Sequence, residues 1–515
     1  MSYPRSPVFT CGQICLFITI LSAQTPPDPK TVFRTETNLR QVSVVAQDAK
    51  GKAVTDLRRD EFRLLDDGVP REIRFFLAET QQSPPAAAVP TAPNTFTNQI
   101  AARRGGYSVI LLDTLDTSFG DPLKHESGSG YAIQKVREML HVIPAGYQIA
   151  IYTLERARVR VIQEFTTDRD LLEKRAATIK PPADTPDTFN STFEAFPPVV
   201  VAVEGAPPEQ AAAGERMKAD FAYIDRMQRS SAIDGEFTQL ADHLAGIPGR
   251  KNLVWLAQRF PISRTALQKL IQADVAIYPV DVYGVCNCTP APREQLIAIA
   301  AATGGVAYYG RNDLDVAVRE ALDDGSTSYT LGFYQQADDR TAGRHLVAVN
   351  VSRTGVALRY RAAYTAEGRQ PAPANPKANL VQSLRRPIDA TQIPIKATVT
   401  RTRNRVDLLA ILLPETLALT LNKDRWTAKL QFVARFEAAD EALLLEPFYQ
   451  TVTLNLSQAT YEKAVSGEGI VYHNSLAVPP KAVELKVLVA NLDAGKIGTL
   501  TIPLSEVHST EATRK

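Results

Sequence analysis

Tyr107-Ser108-Val109-Ile110-Leu111-Leu112-Asp113 (YSVILLD) is an almost continuous apolar run that stops at an acid. A strand with one wet face alternates apolar and polar residues, whereas a strand covered on both faces reads as an unbroken run, the mark of parallel sheets whose crossover helices cover both sides. Runs of the same kind recur at 149–153, 253–256, 275–280 and 306–309, separated by helical stretches at 131–140, 171–179 and 293–302. This grammar predicts an α/β domain over residues 105–365, with a doubly wound, mostly parallel sheet of Rossmann-like winding. Ligands of such sheets bind at the carboxyl ends of the strands, so the residues just after each strand are the ones to inspect. Residues 181–214, rich in proline and without regular period, read as an insertion or lid, and the extended segments 328–334, 345–351 and 358–361 as added edge strands.

On either side of this region the pattern turns to short strands. Val42 and Val44 flank Ser43, Phe62 and Leu64 flank Arg63, and Ile73 and Phe75 flank Arg74, a period of two that predicts a small N-terminal β module over 33–78. Asp66-Asp67-Gly68 is hairpin chemistry, with Gly68 placed at positive φ. Residues 79–104 and 366–378, rich in Pro and Ala, read as linkers. From 379 to 506 the alternation of Ile393, Ile395, Ala397 and Val399, and of Leu430, Phe432 and Ala434, predicts a C-terminal β-sandwich.

The first residues read as an export signal: Arg5, a short apolar core at 14–21 (ICLFITIL), and Leu21-Ser22-Ala23 before a cleavage point at Gln24. The core is shorter than the ~20 residues of a spanning helix, which sets the alternative of an uncleaved anchor behind cleavage and a periplasmic or secreted chain. No later segment is apolar enough to span a bilayer. Fifty-eight basic against 56 acidic residues, a net charge of +2, give no asymmetry of the kind nucleic-acid binders show. Cys286 and Cys288, in a CNC loop, are the cysteines left after cleavage. A local disulfide is the preferred reading over an intermolecular bridge or two free thiols.

Asp113-Thr114-Leu115-Asp116-Thr117, directly after the first strand, resembles the Asp-x-Ser-x-Ser segment of von Willebrand factor type A (VWA) domains. The resemblance extends to Thr166-Thr167-Asp168, to GRKNLVWL at 249–256, to YTLGFY at 329–334 with RAAY at 361–364, and to the N-terminal stretch DAKGKAVTDLRRDEFRLLDDGVPREIRFF, which together are similar to the bacterial VWFA-related family. It implies an exported protein whose partners are proteins. It also implies a metal-ion-dependent adhesion site, in which oxygen ligands from three loops hold Mg²⁺. Asp113 and Thr117 match that set, but Leu115 replaces a serine, and Ala257-Gln258-Arg259 stands where the family places a carboxylate. The site therefore reads as degenerate, with no cofactor expected. Either Arg259 brings its guanidinium to Asp113 in place of the ion, which is the preferred reading, or Asp116 rebuilds a weak Mg²⁺ or Ca²⁺ site with Asp113 and Thr117.

No catalytic constellation stands out. There is no nucleophile elbow or phosphate-binding loop, and Gly304-Gly305 after a helix reads as its cap. The six histidines, 125, 141, 243, 345, 473 and 508, show no ligand spacing, and Asp66-Asp67 and Asp323-Asp324 sit in turn-like contexts. The reading is an exported, non-enzymatic protein that binds a protein partner at the crevice around Asp113. A metal-dependent or cryptic hydrolase and a structural envelope component are the alternatives.

Overall fold

The computed structural model describes residues 39–79, 92–100, 106–114, 128–143, 146–155, 158–180, 233–247, 249–257, 259–282, 293–324, 327–334, 343–366, 380, 383–384, 388–439, 444, 446–467 and 469–508. Contacts divide the chain into residues 1–36, all outside this set, and a compact unit from Thr37 to Lys515. Asp116, Thr117, Cys286, Cys288 and the 181–214 insertion also lie outside the described residues.

Tyr107–Asp113 is the central strand of a five-stranded sheet, ordered Val275–Asp281, Lys251–Ala257, Tyr107–Asp113, Gln148–Glu155, Arg158–Thr166. The first four run parallel. The last is antiparallel, because its connection to Gln148–Glu155 is too short for a crossover. Alternation across the central strand feeds two cores. Val109 and Leu111 pack with Phe237, Leu240 and Leu244 of a helix at 233–244 and with Leu270 and Leu296, while Ile110 and Leu112 meet Val136, Met139, Leu140, Leu172, Val318 and Leu322 on the other face.

The expected architecture, a doubly wound, mostly parallel sheet flanked by separate β modules, is not what the chain builds. Parallel ladders are confined to this one mixed sheet, and every other ladder among the described residues is antiparallel. The segment at 306–309 contributes a single bridge, Val280 to Tyr308, rather than a sixth strand. Nor are the strands after 327 edges of the mixed sheet. Ser328–Tyr334 inserts between Leu39–Gln47 and Phe75–Glu79, and Gly343–Val351 pairs with Phe62–Asp66. The two four-stranded sheets so formed close on one core, in which Val42, Val44, Phe62 and Leu64 touch Tyr329, Leu331, Phe333, Val347 and Val349. The physical reason is completeness. The N-terminal strands alone cannot cover their apolar faces, and the alternating strands after 327 supply the missing half.

This small sandwich sits at the amino ends of the parallel strands. Ser43 donates to Asp274 just before Val275–Asp281, Arg361 Nη1 donates to the Ile271 carbonyl at 2.7 Å, and Gln47 and Arg359 both reach Asp324. The carboxyl ends are thereby left on the far side.

The remaining strands form a second sandwich around Ile395, Val399, Leu408, Leu430, Phe432, Val487 and Leu500. The supposed linker at 79–104 takes part in it. Thr95–Thr97 pairs with Ile395–Thr402, and buried Asn98 bonds the Ala390 and Ile393 carbonyls through Nδ2 and accepts the Ile395 amide. No helix among the described residues is long and apolar enough to cross a membrane.

Candidate functional site

Asp113 ends the central strand half-buried, with its carboxylate oriented from the neighbouring strand: the indole N–H of Trp255 donates to Asp113 Oδ2 at 3.3 Å. Trp255 is fully buried and wedged edge-on against Phe237 and Phe260, with centroids 4.6 and 4.8 Å away, so its N–H has a fixed direction. Thr114 is committed to the fold, its amide and its hydroxyl both donating to the Leu154 carbonyl at 3.0 Å. At the end of the adjacent strand stands Ala257, buried, its carbonyl accepting the Val282 amide, so this end carries no carboxylate. Arg259 follows as an exposed side chain. One strand further on, Asp281 ends Val275–Asp281 and is 2% exposed. Two strand spacings, roughly 10 Å of backbone, separate the ends that carry Asp113 and Asp281. Reading loops for ligands passed over Asp281, because an acid that ends an apolar run looks the same whether it faces a crevice or a hydrogen-bond partner.

A second acidic group forms in the small sandwich from residues that are remote in sequence. Phe62–Asp66 and Val69–Arg71 are joined by Asp67 and Gly68, both left-handed at φ 50° and 80°, the turn that matches strand twist. The hairpin presents Asp66 and Asp67 to Gly343–Val351, where His345 Nδ1 lies 2.8 Å from Asp67 Oδ2 and the Leu346 amide donates to Asp67 Oδ1 at 2.7 Å. Buried Asp66 accepts the Tyr364 hydroxyl at 3.1 and 3.0 Å on its two oxygens and has Arg71 Nε at 3.8 Å. The His345 ring stacks on Tyr364 at 5.0 Å.

The electrostatics of the two acids diverge. Burial raises the Asp66 carboxyl above its ordinary value, against the opposing pull of Tyr364, His345 and Arg71. The Leu346 amide holds Asp67 below its own, with His345 adding to that effect against a smaller opposing contribution from burial. Burial, then the Asp66 charge, pushes the Tyr364 hydroxyl up.

One ligand atom from each of Asp66, Asp67 and His345 lies within 4.8 Å of the others, a mixed oxygen and nitrogen set that could hold a divalent ion. In this structure the same atoms hydrogen-bond to one another and to Tyr364, and Arg71 supplies positive charge beside Asp66. The scattered histidines and the turn-like Asp pair gave no hint of this grouping, since pairing between strands 278 residues apart brings it together.

No protein-family model matches the chain, and none of the curated proteins matches it. Among solved structures, two of proximal thread matrix protein 1 from the mussel byssus are similar to it. One is a second crystal form, at 12% identity and a TM-score of 0.24, and the other has a zinc occupied MIDAS motif, at 13% identity and a TM-score of 0.23. Each match covers 44% of this chain and 47% of that one, so the chain spans about half the length of the protein it matches.

Proposed function

We propose that the chain is an exported, non-enzymatic interaction protein that engages a protein partner at the carboxyl ends of its parallel strands, through a degenerate metal-ion-dependent adhesion site. What supports this reading is the pairing of Asp113 with Trp255 beside Ala257. A carboxylate is held in a fixed direction at a strand end, and the neighbouring strand end, where the resembled family keeps a second acid, offers none. Residues 1–23 direct export, and the mature chain starts at Gln24.

Thermal unfolding of the mature protein in EDTA, Mg²⁺ and Ca²⁺, beside Asp113→Ala, tests the site. Ions at millimolar concentration should leave the midpoint unchanged. A saturating ion at about a hundred times its dissociation constant would add ~2.7 kcal/mol, and such a shift, lost in Asp113→Ala, would overturn the degenerate-site reading. Cross-linked partners from the exported fraction should be lost in Asp113→Ala, and equal capture by both proteins counts against this surface. Intact mass of the exported protein tests cleavage before Gln24.

A further inference from the structure

Between the mixed sheet and the C-terminal sandwich lies a cleft of about 710 Å³, lined on one side by Arg158, Glu164 and His243 and on the other by Asp389, Glu437 and Lys486. His243, on the helix at 233–244, is 5% exposed and spans the junction. Its Nδ1 lies 2.7 Å from the Asp389 carbonyl, an acceptor only, so Nδ1 carries a hydrogen. Its Nε2 lies 3.0 Å from the Tyr152 hydroxyl and 3.4 Å from Glu164 Oε1. The Tyr152 hydroxyl donates its one proton to Glu164 Oε2 at 2.9 Å. Nε2 is left facing a carboxylate and a hydroxyl whose hydrogen is used elsewhere, and the imidazolium, with a donor on each nitrogen, is the form that satisfies all three partners.

The other charged groups near the ring are engaged. Asp389 accepts from Thr499, and from both the amide and the hydroxyl of Thr501, at 2.9–3.0 Å. On the histidine's own helix, Asp242 accepts from Gln392 and Glu236 from the Val159 amide. Across the cleft, Glu437 pairs with Arg435 and Lys486, and Arg158 stands at the rim.

We propose that His243 is a proton-operated latch between the mixed sheet and the C-terminal sandwich. As imidazolium it ties Glu164 and Tyr152 to Asp389. When Nε2 gives its proton to solvent, the Glu164 carboxylate keeps only the Tyr152 hydroxyl and turns towards the cleft, and the Nδ1–H bond to the Asp389 carbonyl loses its charge assistance, so the Asp389 segment loosens.

Burial opposes the charge on His243, but the Glu164 carboxylate and the Asp389 carbonyl outweigh it and raise the imidazole above its ordinary 6.5. Burial likewise opposes the charge on Glu164, yet His243 and Tyr152 hold its carboxyl below 4.5. For a raised histidine, the stability gained is fully present below the unfolded value and lost as pH rises through the folded one. For a lowered acid, it is present above the unfolded value and lost as pH falls through the folded one. The latch is closed between the two limits.

The test is a titration of the mature protein from about pH 5.5 to about pH 9.5, following the His243 Cε1–H resonance, assigned by its absence in His243→Gln, together with small-angle scattering. The expected result is a midpoint above 6.5, an expansion in scattering through the same midpoint, and a midpoint lowered by about one unit or more in Glu164→Gln, a tenfold or larger change in proton affinity. His141→Gln, at an exposed histidine on another helix, should leave the midpoint and the expansion unchanged. A midpoint at or below 6.5, titration without expansion, or the same expansion in His243→Gln overturns the latch. Should His243→Gln fail to fold, Glu164→Gln, on the cleft wall, carries the test alone.

Discussion

The guanidinium of Arg359, in the small sandwich, donates to the carboxylate of Asp324, at the end of a helix packed on the mixed sheet. Asp324 is 7% exposed and also accepts from the Tyr278 hydroxyl and from Gln47 Nε2 at 3.0 Å. Tyr278 in turn accepts from Arg250 Nη2 at 3.0 Å, so one carboxylate balances two cations at the amino ends of the parallel strands. Removing one partner of a buried, bonded charge set costs about 3–5 kcal/mol, because the charge left behind stays out of water. Asp324→Ala should therefore lower the unfolding free energy measured in urea by about 3–5 kcal/mol, and a loss under about 1 kcal/mol would show that the network adds little.

Truncation probes the shared sandwich. A chain starting at Gly106 lacks both strands that flank Ser328–Tyr334, and Tyr329, whose hydroxyl donates to the Val54 carbonyl at 2.8 Å and accepts the Leu57 amide at 3.0 Å, loses both partners. Leu331 and Phe333 lose their cover. Such a chain should aggregate or elute as oligomers on size-exclusion chromatography. A monomer with cooperative unfolding would restore the N-terminal strands to the status of a separate module.

These two cases mark what the sequence made legible. YSVILLD announces a strand covered on both faces because burial on both sides leaves no polar alternation to hide it, and Asp66-Asp67-Gly68 announces a hairpin because left-handed backbone needs those residues. Pairing is a different kind of information. Val42, Ser43 and Val44 alternate equally well whether their partner is a nearby strand or Tyr329 to Leu331, and no local signal chooses between them. The same holds at the candidate sites. Asp113 was visible as an acid ending a strand, while the Trp255 indole that orients it, and the company Asp66 and Asp67 keep with His345, depend on register between distant segments.

Gly305 marks a close approach. A Cβ built there would lie 2.0 Å from the Ile277 carbonyl oxygen, a backbone atom of the strand Val275–Asp281 that cannot swing aside as a side chain would. The preceding Gly304, left-handed at φ 80°, ends the helix Arg293–Thr303, and Thr303 Oγ1 accepts the Ile277 amide at 2.9 Å, so helix end and strand are tied. Gly305→Ala should destabilise by about 1–3 kcal/mol or more, read as a lowered denaturant midpoint. Gly343→Ala, where a Cβ meets nothing within 4 Å, is the control and should change little.

Asp66 offers a test with a defined sign. Burial holds its carboxyl above the usual 3.8, so folding takes up a proton between the unfolded and folded values. The stability linked to that proton is present at low pH and lost as pH rises through the folded value. Asp66→Asn has no charge to bury and no such loss, although it weakens the bond from Tyr364. The difference in stability between Asp66→Asn and wild type should therefore move in favour of the variant as pH rises from below 3.8 through the folded value and level off above it, whatever its absolute sign. Denaturant unfolding at a series of pH values reads it directly. A difference that stays flat across this range, or moves towards wild type, would mean that Tyr364, His345 and Arg71 together cancel the cost of burying the Asp66 charge.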